Sequence, residues 1–236
     1  MRDLYAARAP RLTQVLNLFS VRSALLDPNA LLDIVLPPSV ARDFDELAVP
    51  LQIVATDFYN QEPVVFASGP LRPAVAASMA LPMVFQPVMH EGRALIDGGL
   101  VNPLPFDLLI GKVDVVVAID VAGAPTPAAN RDHPTGVEAL IASPFIFERT
   151  IIREKLKSVQ PDIYVEGGTS RFQVLDFLRL DEILAAAAPA KERLKAQLAR
   201  VLSAETLEAE EPAETAAPAL ASRPRRRRLL GPRRSE

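Results

Sequence analysis

ALIDGGLVNPLP, residues Ala94 to Pro105, is followed after a short spacer by VDVVVAIDV, residues Val113 to Val121. The second stretch is β-branched and almost wholly apolar, the pattern of a strand covered on both faces. The first opens as a short strand, Ala94–Ile96, and runs straight into Asp97–Gly98–Gly99. Between them Leu104–Ile110 reads as a helix. Upstream, Leu51–Phe58 (LQIVATDF) and Pro63–Ala67 (PVVFA) read as strands, and the Asn60–Gln61–Glu62 spacer suits a hairpin. Leu71–Leu81 (LRPAVAASMAL) reads as a helix of small residues that packs closely on a sheet and ends at Pro82. Strands alternating with helices predict an α/β domain with a largely parallel sheet flanked by helices.

Residues 1–48 read as helical. Leu12, Val15, Leu16, Leu18 and Phe19 mostly follow helical spacing. Asp27–Pro28 is the signature of an N-cap with proline at the first helical position, and Pro37–Pro38 stops that helix. Phe44–Leu47 is at most a helical turn. Beyond Val121, Ala124–Pro134 reads as a loop, Gly136–Val159 as a long amphipathic helix and Asp162–Val165 as a strand. Asp176–Leu202 reads as a helix interrupted at Pro189. A Glu/Ala/Pro stretch and an Arg-rich end follow, and they are expected to be disordered.

Composition narrows the chemistry. Of 236 residues, 49% are hydrophobic and 23% charged, an ordinary globular balance. There is no cysteine, so disulfides and a thiolate nucleophile are excluded. The two histidines, His90 and His133, lie far apart, which argues against a multi-histidine metal site. The net charge of −3 conceals an asymmetry: Arg223–Glu236 holds seven arginines and one glutamate, and the remainder is acidic. No apolar run reaches the ~20 residues of a membrane-spanning helix. MRDLYAARAPRLTQ lacks the apolar centre of a signal peptide, so the default expectation is a cytoplasmic protein.

A carboxylate at the C-terminal end of a strand, followed by two glycines, stands where α/β sheets place working groups. It is also the composition of a tight turn closed by an aspartate side chain. The linked blocks around it are more specific. PLQIVATDF, VVFASG, AVAASMALPMVFQPV, LIDGGLVNPLP and VDVVVAIDV, in that order, resemble the second half of a patatin-like phospholipase domain of the bacterial type. The resemblance is strong from about Phe44 to Val121 and weaker to about Leu202. It divides the chain into residues 1–121, the C-terminal part of the patatin-like domain; 122–202, a helical extension with one strand; and 203–236, the tail.

The resemblance implies a serine–aspartate dyad acting on acyl lipids, without metal or organic cofactor. Asp97 occupies the aspartate position, Gly98 and Gly99 complete its motif, and Asn102 with Pro103 and Pro105 match the usual continuation. A serine hydroxyl needs a base to take its proton, and a buried carboxylate within reach can serve. The chain itself contains no G-x-S-x-G and no glycine before Gly69, so neither the nucleophile motif nor a glycine-rich oxyanion loop is present. The expectation is therefore the aspartate half of such a hydrolase, with the chain starting after the nucleophile and inactive alone. The alternatives are a noncatalytic lipid-binding or regulatory module derived from the same fold, and complementation by a separate serine-bearing chain.

Other candidates have blander readings. Ser78 belongs to a small-residue helix, and Ser68 precedes the Gly69–Pro70 turn. Asp57 and Asp120 end strands and are expected to make turn or strand-end hydrogen bonds. His90 lies in MHEGR, a hairpin tip, and is expected in solvent. Gly167–Gly168 follow a strand without a phosphate-binding pattern. Expected partners are an acyl lipid or membrane surface, with RPRRRRLLGPRR available for anionic headgroups. No aromatics interleave those arginines, which argues against single-stranded nucleic acid.

Overall fold

The computed structural model describes residues 25–122, 132–172 and 179–210. The helical reading of Leu12–Phe19, the loop at 124–131, the expected helix start at Asp176 and the arginine-rich tail lie outside these residues.

The first helix, α1 (Pro28–Val35), starts as the sequence predicts. The Asp27 carboxylate accepts from the Asn29 amide at 2.8 Å, and Pro28 needs no amide partner there. A 3-10 turn at Phe44–Glu46 leads to β1 (Ile53–Asp57) and β2 (Glu62–Phe66). Asp57 closes the connection between them by accepting from the Tyr59 and Asn60 amides, both at 3.1 Å. Next come α2 (Leu71–Ser78), β3 (Val88–His90) and β4 (Arg93–Asp97). The β3–β4 turn holds Glu91 and Gly92 at positive φ, as a two-residue hairpin requires.

These strands form one sheet in the order β2-β1-β4-β3. Every neighbouring pair in it is antiparallel. The mixed α/β class stands, and the largely parallel sheet predicted from the alternation is corrected. Two tight hairpins set strand direction here, and a parallel pair needs a crossover of a dozen or more residues. Parallel pairing is confined to a second sheet of β5 (Val117–Asp120) and β6 (Ile163–Glu166), joined across α3 (Gly136–Ser158). That sheet is covered on both faces. Val116 and Ala118 pack against Ile152 of α3. Ile163 and Val165 pack against Ala190 of α4 (Leu180–Glu210).

Three boundaries differ from the sequence reading. Val113–Val121 becomes strand only where β6 pairs with it. Leu104–Ile110 makes just a 3-10 turn, Pro105–Leu108, closed off by Gly111 at φ 72°. A segment that short has too few residues to sustain an α-helix by itself. Pro189 does not interrupt α4, which runs through it.

The small residues of α2 do what their size allows. Ala77 lies fully buried against Ala55 of β1 and Leu95 of β4, while Leu71 and Ala74 pack with Phe44. After α2 the chain carries the Ala80 carbonyl to the Asp97 amide, 3.1 Å away. The main sheet and its covering helix thus meet at the residue on which the site is built.

Candidate functional site

Asp97 is the last residue of β4, opposite Ala55 of the central strand β1. Its backbone is held from two sides. The amide donates to Ala80, and the carbonyl accepts from the Thr56 hydroxyl at 2.7 Å. Its side chain folds over the following turn and accepts from the Gly99 amide at 2.8 Å. Gly98–Leu100 is a single 3-10 turn. A β-carbon on Gly98 would stand 2.1 Å from the Val54 carbonyl oxygen, so only glycine lets this turn lie against β1. Asn102 closes the segment, its amide donating to the Gly98 carbonyl at 2.9 Å.

The helix α3 crosses this turn. Lys155 fixes it there. Its ammonium donates to the Asn102 side-chain oxygen, to the Leu104 carbonyl at 3.1 Å and to Asp107 at 2.6 Å, and it lies 5.5 Å above the Phe106 ring. Asn102 in turn donates to both oxygens of Asp107, at 3.2 and 3.3 Å. Burial pushes the Asp107 carboxyl up, but the hydrogen bonds from Lys155 and Asn102 outweigh it and hold the group below its usual value. Seven residues before Lys155, and so on the same helix face, stands Glu148. It is 8% exposed. A β-carbon on Gly99 would lie 2.7 Å from Glu148 Oε1 and 3.2 Å from Asp97 Oδ1. The two carboxyl groups therefore converge on the face of Gly99 that a side chain would occupy.

A third carboxylate, Asp120 at the end of β5, is 4% exposed. It accepts from the Ala122 amide and the Tyr164 hydroxyl, both at 2.9 Å, and has Arg149 at 3.6 Å. The strand-end role expected from sequence is what it has, and it adds negative potential at Glu148. Burial, then Asp97, then Asp120 raise the Glu148 carboxyl from the ordinary 4.5 to about 7. Burial also raises Asp97, and the Gly99 amide pulls it the other way. A half-buried carboxylate with raised proton affinity is the state a general base needs.

The remaining candidates separate as follows. The Ser78 hydroxyl makes no hydrogen bond to Asp97. Ser68 is exposed before Gly69, itself at φ 78°. Asp57 serves its turn. His90 is less exposed than expected, since its ring stands edge-on to Phe66 at 5.1 Å. Gly167 donates its amide to the Asp120 carbonyl at 2.7 Å, a structural contact. Among the described residues no group of three or more His, Asp or Glu side chains is arranged to hold a metal ion. No helix among them is long and apolar enough to cross a membrane. Sequence reading missed Glu148 and Lys155. The pattern of Glu148, Ile152 and Lys155 at helical spacing was visible, but an acidic residue in an amphipathic helix gives no sign of its burial.

Residues 5–110 match the family model for patatin-like phospholipases. An uncharacterized NTE family protein of Mycobacterium bovis is 36% identical to this chain over 107 residues, which is 45% of this chain and 29% of that protein. Uncharacterized NTE family proteins from two strains of Mycobacterium tuberculosis match to the same extent. The chain thus spans less than a third of the length of the curated relatives it matches. Asp97, Gly98, Gly99 and Asn102 fall within the family match, and Glu148 and Lys155 fall beyond it.

Proposed function

Residues 5–110 being patatin-like, we propose that this chain carries the aspartate half of a lipid acyl hydrolase, with Asp97 as the base. The observation that supports it best is the setting of Asp97. The carboxylate stands at a strand end, is aimed by one backbone amide, and is raised in proton affinity by burial. Such a group can take the proton from a serine as the serine attacks an acyl carbonyl, and return it to the departing alcohol. Gly98 lets the turn approach the central strand, and Asn102 with Lys155 keeps it rigid. The serine and the oxyanion donors would come from a G-x-S-x-G segment outside these 236 residues. Removing even one oxyanion donor costs such enzymes ~10²–10³ in turnover, so the chain alone should be inert.

The test is hydrolysis of a fluorogenic acyl ester by this chain, alone and co-expressed with a patatin-like G-x-S-x-G segment. Activity only in the pair, abolished by Asp97→Asn, is the expected result. Paired activity that survives Asp97→Asn would overturn the assignment of the base.

One observation favours a second reading, a lipid-binding module without catalysis. Val137, Leu140 and Phe147 share a face of α3 and are exposed. A helix presenting such a stripe can lie in a lipid interface. Flotation of the chain with phospholipid vesicles, lost in Phe147→Glu and without release of fatty acid, would support this reading over the first. Absence of flotation would remove it.

A further inference from the structure

Glu148 is a buried acid with no hydrogen-bond or ion-pair partner among the described residues, and its carboxyl group points at the turn that aims Asp97. A buried polar group without a partner costs stability, and an unpaired buried charge costs more. Its position is nevertheless firmly set. Lys155, two turns along the same helix face, is anchored to Asn102, Leu104 and Asp107, and Ile152 between them is packed into the core under β5.

We propose that Glu148 is a positioning residue for Asp97: of the two carboxyl groups that converge beside Gly99, Glu148 keeps its proton and Asp97 is left as the charged acceptor. This rests on the reading of Asp97 as a base. The asymmetry follows from their partners. Asp97 accepts the Gly99 amide, which stabilises its anion. Glu148 has no donor among the described residues to stabilise its own. The charged and titratable groups around it have the same consequence. On β5, Asp120 adds negative charge. On α3, Arg149 is turned to Asp120 and Glu166 at 3.6 Å, and Lys155 to Asp107. On β6, the Tyr164 hydroxyl is donated to Asp120. Among the described residues no cation is left to neutralise Glu148. When Glu148 loses its proton, a second negative charge arises beside Asp97 and strengthens Asp97's hold on a proton. Glu148 therefore sets the pH range over which Asp97 is a free base. Paired carboxyls of this kind titrate as a unit.

The experiment is a carboxyl ¹³C NMR titration of the chain labelled at Asp and Glu, from pH 3 to about 9, with Glu148→Gln and Asp97→Asn. It needs no substrate, so its outcome is independent of whether the chain hydrolyses lipid. In the native chain one glutamate is expected to titrate near 7. That transition should vanish in Glu148→Gln. In Asp97→Asn it should move down toward the ordinary 4.5, a shift that a glutamate with a merely structural role, uncoupled from Asp97, would not show. The Asp97→Asn measurement stands even if Glu148→Gln folds poorly. A native chain whose glutamates all titrate near their ordinary values, or a transition near 7 indifferent to Asp97→Asn, would overturn the proposal.

Discussion

Asp97 and Glu148, 51 residues apart in sequence, bring their carboxyl groups to the same face of Gly99, Oδ1 of one and Oε1 of the other lying 3.2 and 2.7 Å from where its β-carbon would stand. One arrives at the end of a strand of the antiparallel sheet, the other on the helix that connects the two parallel strands. The two halves of the fold are thus joined at the candidate base, and the turn between them tolerates no added side chain without displacement.

Gly98→Ala tests that turn. Its β-carbon would meet the Val54 carbonyl, part of the central strand's backbone, which cannot move aside without disturbing the sheet. A loss of about 3 kcal/mol or more is expected in urea denaturation. Gly99→Ala meets only the ends of the Glu148 and Asp97 side chains and should lose about 1 kcal/mol. Equal losses would show that the turn is not held against β1 as described.

Glu148→Gln should stabilise the protein in a pH-dependent way. The Glu148 carboxyl is raised to about 7 in the folded chain, against an ordinary 4.5. Between those values the unfolded chain ionises while the folded chain keeps its proton, so native stability falls as pH rises through this window. The penalty is absent below it and complete above it, at most about 3 kcal/mol. Denaturation at pH 4 should find the variant and the native chain similar, and at pH 8 the variant more stable. A difference that is the same at both pH values contradicts the buried, unpaired carboxyl.

Lys155→Met removes the cation that ties α3 to the Asn102–Asp107 segment. Asp107 would be left partly buried without its ion partner, at a cost of about 2 kcal/mol after allowance for its exposure. Asp107 is held below its ordinary value, so its contribution is present above that value and lost as pH falls through the folded one. The gap between variant and native stability should narrow in acid, as read by thermal melts across pH. The Glu148 titration should also shift, since the helix that carries it is no longer anchored.

Much of the site and part of the fold were legible in the sequence, for identifiable reasons. The Asp27–Pro28 cap, the start of the small-residue helix at Leu71 and the strand running into Asp97 are set by local chemistry and are found there, whereas that helix, expected to reach Leu81, ends at Ser78. Strand direction was less legible. Alternating elements suggested parallel pairing, yet the Asn60–Gln61 and Glu91–Gly92 turns each dictate a hairpin and make the main sheet antiparallel. The extent of the strand at Val113–Val121 depends on where Ile163–Glu166 pairs with it, which periodicity does not encode. Asp97 was singled out because the blocks around it are specific. Glu148 was not, because its environment is created by the packing of α3 on a distant turn.

The central claim is that Asp97 is the base for a serine not among these 236 residues, and fluorophosphonate labelling tests it most directly. The chain is labelled alone and together with a G-x-S-x-G segment, with intact mass and peptide mapping to locate the adduct. The account predicts no adduct on the chain alone, and one adduct in the pair, on the supplied serine and lost with Asp97→Asn. A stoichiometric adduct on a serine of this chain alone, abolished by Asp97→Asn, would contradict it and show that the nucleophile was present all along.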